Sequence, residues 1–231
     1  MDVWPLRAMI SDMEKLDELL REAEIAHGHL CAGQVLGVRM AMLGCRLLGI
    51  DDPRGKVTRA DRKRLVTFVE IDRCATDAIA VVTGCRLGKR ALKFRDWGKM
   101  AASFLDLGRA ADEEKGITAI EGGRAVRIAA LESSRERAKE MFPDLEKNAQ
   151  QMMAYRELPD EELFAVEWVQ IPMHPRELPG YKAPRIACAI CGEGISYDRE
   201  VIEEELVEGE RVRRVLCHGC ADVKGRYYQP L

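Results

Sequence analysis

Met13, Leu16, Leu19, Leu20 and Ala23 recur at three- and four-residue spacing, which is one face of an amphipathic helix. Ser11 followed by Glu14 has the form of a capping box, so a helix is expected from Ser11 to about Ile25, broken at Gly28. A second helix is expected from about Cys31 to Leu48. In it Gly33, Gly37 and Ala41 recur every four residues and form a small-residue ridge. Glycine costs about 1 kcal/mol of helix propensity relative to alanine, so the ridge implies a close approach, by a packed helix or by a bound group.

The β-branched run "LVTFVEI" at 65–71 predicts a buried strand. The following "DRCATDAIAVVTGC" predicts a helix with Asp72 as its N-cap, Cys74 in the first turn and Cys85 on about the same face. Further strands are expected in "LKFRD", "KMAASFLDLG", the end of "GGRAVRIAAL" and "LFAVEWVQI". Residues 133–157 read as helical with a break at Pro143. Helices and antiparallel strands in mixed order predict an α+β core over residues 1–170. "IPMHPRELPGYKAPR", 171–185, has four prolines and a glycine and reads as a linker to a small domain at 186–231.

Composition narrows the class. The 231 residues are 47% hydrophobic and 32% charged, a globular balance, and the formal charge of −3 offers no general attraction for a polyanion. The most apolar stretch, "VLGVRMAMLGCRLLGI", carries Arg39 and Arg46 and is too short to span a bilayer. The N-terminal sequence has no basic segment followed by an apolar run, so a cytoplasmic protein is expected. In a reducing compartment its eight cysteines are expected as metal ligands, reactive thiols or core filler rather than disulfides.

Cys188-Ala-Ile-Cys191 and Cys217-His-Gly-Cys220 form two C-x-x-C pairs, the ligand set of a tetrahedral structural zinc ion. Between them "VIEEELVEGERVRRVL" reads as a hairpin turning near Gly209, and "ADVKGRYY" after them as a short helix, the parts of a zinc ribbon or treble clef. A thioredoxin-like redox pair would need a βαβ context that this tail lacks, and His218 reads as a bystander. Residues 186–231 hold six Lys/Arg and nine Asp/Glu, which argues against nucleic acid as a partner.

The core holds a second set. Cys31 and Cys74 each stand at a helix start, where the positive end of the macrodipole favours a thiolate. His27 and His29 lie just before Cys31, and Asp72 and Asp77 flank Cys74, placed to orient an imidazole or complete a coordination shell. Three readings stay open for His27, His29, Cys31 and Cys74. They form a site for a second transition metal, an activated nucleophile at Cys31 or Cys74 with a histidine base, or loop hydrogen bonds and core filler. Cys45, among Leu43, Leu47 and Leu48, reads as core. "GCRLGKR" at 84–90 lacks the spacing and the Ser/Thr of a phosphate loop, which leaves a tight turn.

"HGHLCAGQVLGVRM" at 27–40, "VEIDRCATDAIAVVTGCRLGK" at 69–89, "DWGKMAASF" at 96–104 and the four C-terminal cysteines together resemble the formylmethanofuran dehydrogenase E-subunit family. Ala32 departs from that pattern, which usually has proline after the cysteine. The resemblance implies an α+β core, an auxiliary treble-clef zinc finger, a homodimer and a place in one-carbon metabolism beside a molybdenum or tungsten enzyme. No ligand set for a pterin or an iron–sulfur cluster is evident, so such a centre would belong to other subunits.

Overall fold

A computed structural model describes residues 4–55, 64–108, 124–207 and 210–221. The chain divides into two compact units, 1–173 and 174–231, with the boundary inside the proline-rich stretch.

In the first unit α1 (Trp4–His27) and α2 (Ala32–Leu48) precede β1 (Leu65–Val69), α3 (Cys74–Thr83), β2 (Leu92–Phe94) and β3 (Ala101–Asp106). Then come β4 (Arg124–Ala130), α4 (Ser133–Met141), α5 (Lys147–Glu157), the single turn α6 (Asp160–Leu163) and β5 (Phe164–Gln170). The strands form one sheet in the order β2-β1-β3-β4-β5. The class is α+β, but not every pair is antiparallel: β1 and β2 run parallel because α3 carries the chain back between them. That crossover sets the N-terminus of α3 just beyond the carboxyl end of β1, where parallel units present their ligands.

Helix α1 begins upstream of Ser11, so Ser11 lies inside the helix and caps nothing; the helix also runs two residues past Ile25, to His27. Asp72 does not cap α3. The N-cap is Arg73, in extended backbone, and Cys74 is the first helical residue. Cys85 lies beyond Gly84, which ends α3 in the left-handed conformation (φ 69°), and does not share a site with Cys74. It is buried instead beside β1, where Thr67 Oγ1 donates to its sulfur at 3.4 Å.

The small-residue ridge of α2 meets α3 and β3. A Cβ at Gly37 would sit 2.5 Å from the Ala75 carbonyl oxygen and 2.9 Å from Ala78 Cβ, and one at Gly44 would sit 2.5 Å from the Phe104 ring. At Gly33 the nearest atom would be Cys74 Cβ at 3.3 Å. Backbone-to-backbone contact of this kind cannot be relieved by a rotamer change. Gly37→Ala is therefore expected to destabilise the protein by about 1–3 kcal/mol, as overpacking does, despite the gain of about 1 kcal/mol in helix propensity. Urea unfolding measures the difference; an unchanged or higher midpoint would refute the close contact.

The two arginines within apolar α2 are spent on packing. Arg39 donates to the Tyr155 carbonyl at 2.9 Å, the Leu158 carbonyl at 2.9 Å and Asp160 Oδ1 at 2.7 Å, satisfying the open carbonyls at the end of α5. Arg46 also pairs with Asp160. On the sheet face opposite Phe104, Arg127 grips the buried Glu70 carboxylate through two 2.7 Å bonds.

In the second unit β6 (Ile186–Ala187) pairs with β7 (Gly194–Ile195), and β8 (Val201–Val207) pairs antiparallel with β9 (Glu210–Leu216). The turn at Gly209 and the segment after Ala221, including most of "ADVKGRYY", lie outside the described residues. Much of 171–185 folds with this unit. Leu178 is buried, the Arg176 guanidinium donates to the Asp198 carbonyl at 3.1 Å, and the Tyr181 hydroxyl bonds the Asp198 carboxylate.

Candidate functional site

Helix α1 ends at His27, and Gly28, with φ of 95°, turns the chain toward α2. Cys31 then takes an extended conformation as the N-cap of α2, and its carbonyl accepts from the Gln34 and Val35 amides. Because Gly33 and Gly37 bring α2 against the first turns of α3, the N-termini of both helices converge. The candidate ligand atoms of His27, Cys31 and Cys74 consequently all lie within 4.8 Å of one another. Two residues 43 positions apart in the chain thus meet beside a histidine from a third helix.

Asp77 completes the arrangement. It stands three residues after Cys74, on the same face of α3, and its carboxylate lies 2.8 Å from His27 Nδ1. With Nδ1–H donated to that carboxylate, Nε2 keeps the free lone pair. A carboxylate behind a ligating histidine fixes the tautomer and raises ligand basicity. Asp77→Asn is accordingly expected to weaken metal binding at this site by about 10–100-fold while leaving the fold intact. A competition titration against a chromophoric chelator reads this directly, and unchanged affinity would refute the role.

His29 does not join the triangle. It is exposed, and its ring lies 4.8 Å, centroid to centroid, from that of His27. Asn148, which carries no sequence signal, supports the site from α5: its Oδ1 accepts from the Ala32 amide at 3.2 Å. The departure from proline at 32 acquires a reason here, because proline has no N–H to donate. Gln34 is wholly buried and ties α2 to α1 by donating to the Ala23 carbonyl at 3.1 Å.

The helix-dipole argument predicts depressed thiol pKa values at both helix starts, and Cys74 departs from it. Burial raises its pKa, and the hydrogen bond and charge of the adjoining Cys31 raise it further. Two sulfurs side by side resist double ionisation. A bound dication supplies the missing positive charge and reverses that preference.

The second cluster is Cys188, Cys191, Cys217 and Cys220, whose sulfurs also lie within 4.8 Å of one another. Cys191 and Cys217 are 4.0 Å apart, close to the separation of about 3.8 Å that four sulfurs at 2.3 Å from a tetrahedral ion would adopt. Backbone amides converge on the set, the Cys217 amide donating to Cys188 Sγ at 3.3 Å. The Cys191 and Cys217 amides hold the Cys188 thiol down to about 6. The Glu193 amide acts likewise on Cys191, but burial and the neighbouring sulfurs outweigh it and push that thiol up to about 12. Without a cation the four sulfurs share protons. The donor set fits a metal ion, and His218, exposed between the second pair, is not part of it.

Comparison with known proteins places this geometry in a family. Residues 26–165 match the model described as FmdE, molybdenum formylmethanofuran dehydrogenase operon. The chain belongs to the FmdE family. The match contains His27, Cys31, Cys74 and Asp77 and ends before the four-cysteine unit. A probable S-adenosyl-L-methionine-binding protein of Archaeoglobus fulgidus is 32% identical over 228 residues. The alignment covers 93% of this FmdE chain and 54% of that protein, so the chain spans about half the length of this curated relative. A crystal structure of an FmdE-like protein of tungsten formylmethanofuran dehydrogenase type, from Syntrophus aciditrophicus, has the same fold. Its TM-score is 0.53 at 16% identity, over 93% of this chain and 95% of that one. No described helix of this FmdE protein is long and apolar enough to cross a membrane.

Proposed function

We propose that this FmdE protein is a cytoplasmic, homodimeric metal-binding protein with one transition-metal site in its core and one structural zinc in a treble-clef-type finger. It serves as an accessory or metal-handling partner of a molybdenum or tungsten one-carbon enzyme. The observation that carries the reading is the convergence of His27, Cys31 and Cys74 at two helix N-termini, with Asp77 behind the histidine. A His/Cys/Cys set supplies three protein ligands and leaves a fourth position for an exchangeable ligand, whereas four cysteines close their shell. A core ion would add Lewis acidity or a point of attachment for a small ligand. The chain's own contribution is to hold two thiolates and a fixed imidazole tautomer around it.

The activated-thiol reading finds less support, because burial and Cys31 raise the Cys74 pKa rather than lower it. Metal analysis of the purified full chain tests the proposal. About two ions per chain are expected, one of them lost on removal of a core ligand. A chain that binds only at the four cysteines would refute the core site. Titration with S-adenosyl-L-methionine, with and without the core metal, asks whether the ligand named for the Archaeoglobus relative uses the open position.

A further inference from the structure

Strands β8 and β9 form a two-stranded ribbon of seven residues each, and residues 202–206 and 211–214 are all exposed. An isolated two-stranded ribbon is marginal in water and gains by being covered on one face. The register divides the side chains between two faces. Leu216, buried with Cys188 and Ile195, places one face at the ribbon's base on the small core of this unit. The opposite face carries three cross-strand pairs, Ile202 with Val215, Glu204 with Arg213, and Leu206 with Arg211. Leu206 is 72% and Ile202 41% exposed, an apolar stripe interrupted by one acid and two bases.

The charges say what covers it. Strand β8 carries Glu203, Glu204 and Glu205, and β9 carries Arg211, Arg213 and Arg214, so the ribbon has an acidic rail and a basic rail. We infer that this face is the interface with a second copy of the chain, a conclusion that rests on the homodimer reading above and gives it a location. A two-fold axis running along the ribbon, between two stacked copies, sets each β8 against the partner's β9. The partner's Arg213 then faces Glu204, the partner's Val215 faces Ile202, and the aliphatic stem of the partner's Arg211 covers Leu206. Every layer meets its complement, each charge gains a second opposite neighbour, and no like charges are opposed. A purely acidic or purely basic partner would satisfy one rail and repel the other.

The test is a charge swap in the full-length, metal-loaded chain, read by sedimentation equilibrium. Glu204→Arg and Arg213→Glu should each weaken self-association by at least about tenfold, because each makes its layer uniformly charged. An equimolar mixture of the two variants should recover the dimer, since every acid then faces a base again. Metal content equal to that of the unchanged chain establishes that the finger is still folded in each variant. A mixture that stays monomeric, or variants that dimerise as before, would overturn the ribbon assignment. A monomeric unchanged chain would remove the homodimer reading with it, whereas a dimer indifferent to both swaps would remove the ribbon alone.

Discussion

Cys217→Ala is expected to unfold residues 174–221 while the first unit keeps its structure. The buried apolar cluster around the four cysteines consists of Cys188, Ile195 and Leu216, with Val215, Cys217, Cys220 and Ala221 packed against it. A small chain with so little apolar burial cannot offset its own ordering entropy. Structural zinc in small fingers contributes about 10–16 kcal/mol of apparent binding free energy at neutral pH, more than the whole stability of a typical domain. Losing one of four ligands removes most of that term. The β8–β9 ribbon grows from Leu216, one residue before Cys217, and should lose its protection together with the cluster. Hydrogen exchange followed by peptide mass analysis would report fast exchange across 186–216 and unchanged protection in α2, β3 and β4. Slow exchange in the variant finger would mean that apolar packing, and not a metal, holds this unit.

Cys31→Ala or Cys74→Ala should lower core metal affinity by more than about 100-fold, since loss of a supporting outer-shell partner alone costs about 10–100-fold. The four-cysteine site should stay loaded, so metal content falls from two ions per chain to one. His29→Ala should leave both sites filled, because His29 stands outside the ligand triangle. The pH dependence has a definite sign. The Cys74 pKa is raised above the ordinary thiol value, so its proton is still bound at neutral pH in the metal-free protein. Metal must displace that proton, and core affinity should rise with pH between 6 and 8 by about tenfold per unit for this one proton. Affinity independent of pH would mean that Cys74 is not a ligand.

The two sites were legible to different degrees. The four C-terminal cysteines are a local signal, because each C-x-x-C turn presents two sulfurs to one point wherever it occurs. The core site is not local. "HGHLCAG" and "DRCATD" each announce a helix start with good ligands, yet only the packing of α2 on α3 brings Cys31 and Cys74 together. Asp77 was legible as a flanking carboxylate, and the fold supplied its partner. Asn148 was invisible, because an amide 116 residues from Ala32 carries no sequence signal. Arg39 and Arg46 were legible only as charges that disfavour a membrane span, while the fold spends both on Asp160.

By itself the sequence determined the helices and strands that rest on periodicity, the four-cysteine cluster, the acidic balance of the tail and the glycine ridge. These follow from side-chain spacing and backbone preference, which act over a few residues. Tertiary structure decided the parallel β1–β2 pair, the exclusion of His29, the separation of Cys85 from Cys74 and the direction of the Cys74 pKa. Each of those depends on which surfaces come within a few ångströms of one another. That distance is set by the packing of Gly33, Gly37 and Gly44 against their neighbours, and spacing along the chain does not encode it.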